Sequence, residues 1–295
     1  MLSLTVTAPA KVNLFLGVGP RRRDGYHSVQ TVLHTLALAD TVRLTPADAL
    51  TVACDRDLSI PAEHNLAHRA ATAFAAAFGV DVLLDIHITK RIPAGAGLGG
   101  GSADAAAVLA GLAHWASLPP DDERLLRVAR SLGADVPFFL VGGAALMGGR
   151  GDTITRRLKP IAAHVALVKP PAAVSTADAY AAFDGAPLPA GESRPIADAL
   201  RAQDLRALAQ ALSNNMTAAS ATLVPQIAEA LSWMGERRGV LGSAMAGSGS
   251  AVFALCETAD DAERIAHEAA ERGWWSAATR TAPTGVVASE IEVAG

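Results

Sequence analysis

Cysteine, lysine and aromatic residues are all scarce in this 295-residue chain, and each scarcity removes a class of explanation. The two cysteines, Cys54 and Cys256, lie far apart and form no C-x-x-C pair. That excludes a disulfide framework and a thiolate zinc module, and it fits a reducing cytoplasm. Lysine occurs only at Lys11, Lys90, Lys159 and Lys169, never after a glycine, so a Walker A loop is ruled out. Aromatic residues make up 4%, which leaves Ala, Leu, Val and Ile to build the core and makes Tyr26, set in a turn, conspicuous. Positive charge is not in excess either. The balance of 25 Lys plus Arg against 29 Asp plus Glu is −4, the wrong sign for a broad nucleic-acid surface. The longest uncharged apolar stretch, 136–149, is too short to cross a bilayer and is broken by Pro137, Gly142 and Gly143. Ala8-Pro9-Ala10 mimics a signal-cleavage site, but no charged region and no apolar segment precede it, and it reads as strand.

What remains is 51% hydrophobic and 18% charged, a composition that folds. At about 150 residues per domain, the length predicts two domains or one large one. Strand-period alternation appears at 4–7, at 12–18 and across 31–44, with a turn-rich 19–25 between. Residues 65–78 read as a helix closed by Gly79, 82–89 as a strand, 102–118 as a helix stopped by Pro119-Pro120, and 121–132 as another helix. Glycine-rich apolar sequence then runs to Gly151, and 156–160 marks a boundary. Beyond it come a strand at 164–168, a helix from about Thr176, helices flanking Asn214-Asn215, a loop at 239–249, a strand at 251–255, a helix at 260–272 and a strand near Val286. Two α+β halves result, 1–158 and 159–295.

The strongest local signal is the run Pro93-Ala-Gly-Ala-Gly-Leu-Gly-Gly-Gly-Ser102, set between a strand and a helix. Glycines let backbone approach an anion, and the free N–H groups at a helix start then hold phosphate oxygens. Ser102 is placed as N-cap, or alternatively as a hydroxyl facing a nucleotide phosphate or Mg²⁺. A plain capped turn needs one glycine at most. Gly95, Gly97 and Gly100 also satisfy G-x-G-x-x-G, which keeps an NAD(P)-binding oxidoreductase open as a rival. A second glycine-rich stretch, Met245-Ala-Gly-Ser-Gly-Ser-Ala251, reads either as a tight turn or as a grip on a ligand from the other half.

Lys11 and Asp135 interrupt apolar surroundings. A buried charge needs a partner, and pairing these two satisfies both. The residues read either as a structural salt bridge or a helix or turn cap at Asp135, or as a site in which Asp135 orients or deprotonates a substrate hydroxyl and Lys11 keeps it ionised. Arg21-Arg22-Arg23 reads as a solvated turn. His64 and His68 have the i, i+4 spacing of metal ligands but no accompanying acid, so solvent exposure is the expectation.

On these residues the chain resembles the GHMP small-molecule kinases, whose phosphate-binding signature resembles 93–102. Within that superfamily, Ala8-Pro-Ala-Lys-Val-Asn-Leu-Phe-Leu16 with Asp24-Gly-Tyr-His27, Leu132-Gly-Ala-Asp-Val-Pro-Phe138 and Val168-Lys-Pro-Pro171 through Val174-Ser-Thr-Ala-Asp-Ala-Tyr180 are similar to the family acting on 4-diphosphocytidyl-2-C-methylerythritol. The resemblance implies a two-domain α+β fold: an N-terminal, ATP-binding domain with a left-handed βαβ crossover, a smaller C-terminal α+β domain, and the active site in the cleft between. It implies ATP-dependent phosphorylation of the acceptor's 2-hydroxyl, a step of the non-mevalonate isoprenoid pathway, with ATP and Mg²⁺ and no nucleic-acid or membrane partner. A cytoplasmic monomer or homodimer is expected. Position by position, it implies Asp135 and Lys11 as catalytic, and Pro93, Gly95, Gly97, Leu98, Gly99, Gly100, Gly101, Ser102 and Asn65 on the nucleotide. On the acceptor it implies Asn13, Tyr26 stacked on cytosine, His27 at the cytosine edge, and Thr176 and Tyr180. A homoserine or mevalonate type of the same superfamily stays open. Two positions depart from the family pattern: Leu33 stands where a second aromatic is common, and Ser250-Ala251 stand where Pro-Thr is common.

Overall fold

A computed structural model describes residues 3–56, 61–119 and 121–291. The first part of the chain builds β1 (Ser3–Arg21), β2 (His27–Pro46), β3 (Thr51–Cys54), α1 (Leu66–Phe78), β4 (Leu84–Thr89), α2 (Gly100–Trp115), α3 (Glu123–Leu132), α4 (Val136–Val141), β5 (Ala144–Gly148) and β6 (Thr153–Leu158). The second builds β7 (His164–Lys169), α5 (Thr176–Gly185), α6 (Arg194–Ala202), α7 (Leu205–Ala211), β8 (Ser213–Asn214), α8 (Thr217–Leu223), α9 (Gln226–Gly235), β9 (Val240–Met245), β10 (Val252–Cys256), α10 (Ala259–Glu271), β11 (Trp275–Arg280) and β12 (Val287–Ile291).

The larger sheet has the order β12-β1-β2-β4-β3, with β5 also on β2, β6 on β5 and a short parallel β8 on β1. β3 and β4 are parallel, and α1 crosses between them as a βαβ unit. The smaller sheet, β11-β7-β10-β9, is antiparallel throughout. This is the mixed α+β architecture expected. After Leu158 the chain touches the larger sheet again through β8, at Phe15 and Leu16, and rejoins it with β12, whose residues pair with β1 from Ser3↔Ile291 to Thr7↔Val287.

α2 lies against β1 and β2 because its buried face is made of small residues, Ala103, Ala105, Ala106 and Ala107, followed by Val108 and Leu109. A side chain at Gly111 would run into Leu44 of β2. One core forms under this helix layer, while another mixes Val12, Leu14 and Leu36 from the larger sheet with Val165, Leu167 and Phe253 from the smaller. That shared core joins the two sheets and closes the floor of the cleft between them.

Several expectations need correction. α2 begins at Gly100, with Gly99 at φ +77° as the cap residue, so Ser102 lies in the first turn and is not the N-cap. The helix starts early because Gly100 sits where a Cβ would meet Ile92 at 3.0 Å and Lys90 Nζ at 3.3 Å, a place only glycine fills freely. It ends at Trp115, before Pro119, where Ser117 takes a left-handed φ of 52°; Pro120 lies outside the described residues. The glycine-rich apolar run to Gly151 holds a short helix and a strand, and the boundary expected at 156–160 opens inside β6, which continues to Leu158. The expected loop at 239–249 is largely β9, whose backbone completes the ladder of β10 although Gly242 and Ser243 hide its strand pattern. β11 had no recognisable signal in the sequence, its residues being Trp, Ser, Ala, Ala, Thr and Arg.

Candidate active site

Lys11 sits at the centre of β1, between irregularities in its pairing with β2, and is 3% exposed. Its ammonium stands 3.5 Å from Asp135 Oδ2 and donates to Asn13 Oδ1 at 2.7 Å. Asn13 is held in turn: its amide donates to Thr31 Oγ1, Thr31 donates to the Phe15 carbonyl, and the Gly247 N–H donates to Asn13 Oδ1 at 2.8 Å. Asp135 occupies the cap position of α4 but makes no cap hydrogen bond, so its partly exposed carboxylate faces the cleft. The structure therefore brings Lys11 and Asp135 together, and a capping role does not account for Asp135.

The glycine-rich run leaves β4 through Lys90, whose buried ammonium donates to Asp40 Oδ2 at 2.5 Å and Asp104 Oδ2 at 2.7 Å. Asp40 also receives the Arg91 and Ile92 N–H groups and so fixes the entry to the loop. Burial holds the Asp104 carboxyl well above the usual carboxylate range, against the pull of Lys90. Along the loop, Ala96 and Leu98 point into the core while Gly95, Gly97 and Gly99 take φ of +63°, +75° and +77°. Leu98 accepts from the Lys11 N–H at 3.0 Å, and Ala96 accepts from the Ala251 N–H at 3.1 Å. Gly97 lies against the backbone of Ala246 and Gly249, so the two glycine-rich stretches form one hydrogen-bonded unit.

Two cavities flank this unit. The first, about 340 Å³, is lined by the loop and by His64, Asn65, Leu66, Lys90 and Asp104. The second, about 300 Å³, is lined by Lys11, Asn13, Thr31, Asp135, Thr176, Tyr180, Arg150 and Ser248 among others. Gly97, Gly99 and Ser102 line both, so the cavities share a wall at the start of α2. Asn65 caps α1 by accepting from the Ala67 N–H at 2.9 Å and borders the first cavity. Thr176 Oγ1 lies 3.0 Å from Ser248 Oγ, and the Tyr180 hydroxyl is pushed up to about 12 by burial and by the negative charge of Asp135.

The turn before β2 is placed differently from this cluster. Tyr26 is 56% exposed, outside the lining of both cavities, with the Arg150 guanidinium 4.6 Å above its ring. His27 is buried, its Nε2 is 2.7 Å from Asp184 Oδ1, and its ring packs on Tyr180 and Phe183. It borders a separate cavity formed with residues 183–190. Gly247 and Ser248 belong to the second glycine-rich stretch that the sequence offers as a ligand grip, whereas Arg150 and Thr31 have no place among the sequence-based candidates. Of the latter two, Arg150 carries a local cue, a charge set between Gly149 and Gly151 and followed by Asp152.

Among the described residues no cluster of three or more His, Cys, Asp or Glu forms a metal cage. His64 and His68 have no metal-site company. The second cavity nevertheless offers oxygen donors, the Asp135 carboxylate and the Ser102 hydroxyl, beside the glycine loop. That set suits Mg²⁺ carried in on phosphates, a cation that keeps few protein ligands.

A loop of amides between two cavities, with the partly exposed Asp135 carboxylate and its Lys11 partner on one side and the buried Lys90–Asp104 pair behind the other, fits a phosphotransferase-type site in a two-domain α+β protein. Family models agree on the class: "GHMP kinases N terminal domain" matches residues 65–143 and "GHMP kinases C terminal" matches 196–273. A 4-diphosphocytidyl-2-C-methyl-D-erythritol kinase from Salinispora tropica is 40% identical over 89% of this chain and 86% of its own length. A crystal structure of 4-(cytidine 5'-diphospho)-2C-methyl-D-erythritol kinase superposes with a TM-score of 0.76 at 34% identity, covering 94% of this chain and 98% of that one. The homoserine kinase of Cytophaga hutchinsonii reaches a TM-score of 0.77 at 19% identity, covering 98% of each chain, and shares the fold. The chain belongs to the 4-diphosphocytidyl-2-C-methyl-D-erythritol kinase family of GHMP kinases. That assignment sets aside the dinucleotide-binding reading of the G-x-G-x-x-G match. No helix among the described residues is long and apolar enough to cross a membrane.

Proposed function

We propose that the protein transfers the γ-phosphoryl group of ATP to the 2-hydroxyl of 4-diphosphocytidyl-2-C-methyl-D-erythritol. The observation that carries this reading is the shared wall: Gly97, Gly99 and Ser102 border both cavities, and Lys11 and Asp135 border only the second. A donor in the first cavity reaches an acceptor in the second without leaving the glycine loop.

The loop amides and the N-terminal dipole of α2 hold the donor's phosphate oxygens. Asn65 and its neighbours border that cavity, and the nucleoside is proposed to lie against them. On the acceptor side, Asp135 accepts the hydrogen bond of the 2-hydroxyl, which orients an oxygen lone pair in line with the γ-phosphorus. As the new O–P bond forms and the bond from phosphorus to the β,γ-bridging oxygen breaks, the hydroxyl proton passes to Asp135, and ADP departs with the bridging oxygen. Lys11 keeps Asp135 ionised beforehand and offsets charge gathering at the transferred group. Ser102 and Asp135 would hold Mg²⁺ arriving with the phosphates, and the cation would supply charge neutralisation. Asn13, Thr176 and Tyr180 shape the pocket around the acceptor, with Tyr26 and His27 toward its cytidine end.

The test is an acceptor panel: 4-diphosphocytidyl-2-C-methylerythritol, homoserine and mevalonate, each with ATP, scored by ADP release. Turnover of the cytidyl acceptor alone is expected. Preference for homoserine or mevalonate would overturn the substrate assignment and leave the family fold untouched.

A further inference from the structure

The charged side chains lining the acceptor cavity are Lys11, Asp135 and Arg150. Lys11 is committed, its ammonium divided between Asn13 Oδ1 and Asp135. An acceptor carrying a diphosphate brings negative charge into this cavity, and anionic oxygens taken from water need charge-assisted donors. Arg150 is the cation left to meet them.

Its position suits that task. The backbone of the turn is tied to β2, with the Val29 N–H donating to the Gly149 carbonyl at 2.9 Å and Val29 bridging Arg150. Asp152 receives Arg150 Nε at 3.2 Å and Nη2 at 3.0 Å on one carboxylate oxygen. That leaves Nη1 without a hydrogen bond among the described residues. The guanidinium also lies over the ring of Tyr26, on the rim, while the same side chain lines the cavity that holds Asp135. Along the acceptor the groups run base, diphosphate, 2-hydroxyl, and along the protein they run Tyr26, Arg150, Asp135.

We infer that Arg150 is a specificity-determining residue that grips the acceptor's diphosphate and sets apart nucleoside diphosphates from the bare nucleoside. This rests on the acceptor assignment made above. A guanidinium suits the role because its planar fork engages two phosphate oxygens while Asp152 fixes its orientation. A surface ion pair that only trims the turn would leave ligand preference unmoved.

The experiment compares cytidine, CMP and CDP by calorimetry on the wild type, Arg150→Gln and Arg150→Lys, alongside KM for acceptor and for ATP. CDP is expected to bind the wild type at least ~10-fold more tightly than cytidine, the scale of one charge-assisted contact. In Arg150→Gln the difference shrinks to about 2-fold or less with the cytidine Kd unchanged, KM for the acceptor rises and KM for ATP holds, whereas Arg150→Lys recovers part of the difference. An undiminished CDP preference in Arg150→Gln, or equal binding of CDP and cytidine to the wild type, overturns the inference. Should Arg150→Gln fail to fold, Asp152→Asn and Arg150→Lys decide: the first is expected to retain the CDP preference and the second to reduce it, and the reverse order overturns the inference. Wild-type turnover of the cytidyl acceptor with an unaltered Arg150→Gln removes this inference alone; no wild-type turnover removes the acceptor assignment beneath it.

Discussion

The ammonium of Lys11 on β1 and the carboxylate of Asp135 at the start of α4 meet at 3.5 Å, one nearly buried and the other open to the cleft. The asymmetry leaves Asp135 available to a hydroxyl. Asp135→Asn keeps the shape and removes the charge, and it is expected to lower kcat by ~10²–10⁴-fold while the ATP Kd stays within a few-fold. Steady-state turnover and equilibrium ATP binding check this. Near-normal kcat would reject the role.

Gly97 separates the two glycine-rich stretches by backbone contact alone. An alanine there would drive its Cβ into the Ala246 carbonyl at a φ of +75°, a conformation that itself costs an L-residue about 1–2 kcal/mol. Gly97→Ala is expected to weaken ATP binding at least ~10-fold, the equivalent of 1.4 kcal/mol. Gly101→Ala is the control, since its Cβ would find only Leu66 at 3.7 Å. Equal ATP affinity in the two variants would show that the contact does not shape the loop.

Tyr26 presents an exposed ring at the rim of the acceptor cleft. Stacking of a base on such a ring is worth about 1–3 kcal/mol, so Tyr26→Ala should raise KM for the cytidyl acceptor by ~10-fold or more and leave KM for ATP nearly unchanged. Tyr26→Phe should behave as wild type. Parallel rises in both KM values would argue against stacking.

His34, fully buried on β2, accepts the Ile161 N–H through Nε2 at 3.2 Å where the chain passes between sheets. Burial lowers its pKa to about 4, partly countered by its hydrogen bond to Thr35. Because the folded value lies below the unfolded one near 6.5, folding favours the neutral ring. The stabilisation is complete above about pH 6.5 and is lost as pH falls toward 4, up to about 3 kcal/mol in all. Denaturant unfolding from pH 7 to 4.5 should show a shallower acid decline in His34→Gln than in wild type, and identical slopes would exclude His34 as the cause.

Much of the site was legible because its chemistry is local. The glycine run from Gly95 to Gly101 marks a candidate anion-binding loop between a strand and a helix, and Lys11 and Asp135 stand out as charges set in apolar sequence. Arg150 was not legible, since its place is set by a tertiary contact, the stacking on Tyr26, and the glycine-rich stretch around Gly247 could be read only as a turn or a ligand grip until its hydrogen bond to Asn13 was seen. In the fold, helices with a clear cap, such as α1 between Asn65 and Gly79, were readable. β9 and β11 were not, because Gly242, Ser243 and the alanines of β11 form strands only through the neighbours they pair with.

The pairing of β12 with β1 bears on biosynthesis. Lys11 is translated well before residues 287–291, yet the Ser3–Thr7 edge of the strand that carries it stays uncovered until those residues have emerged. A nascent chain released before that point exposes an open ladder, a surface that invites pairing with another copy. Shortening the protein from its carboxyl side should therefore be read first as a hazard to solubility, well before any loss at the cleft.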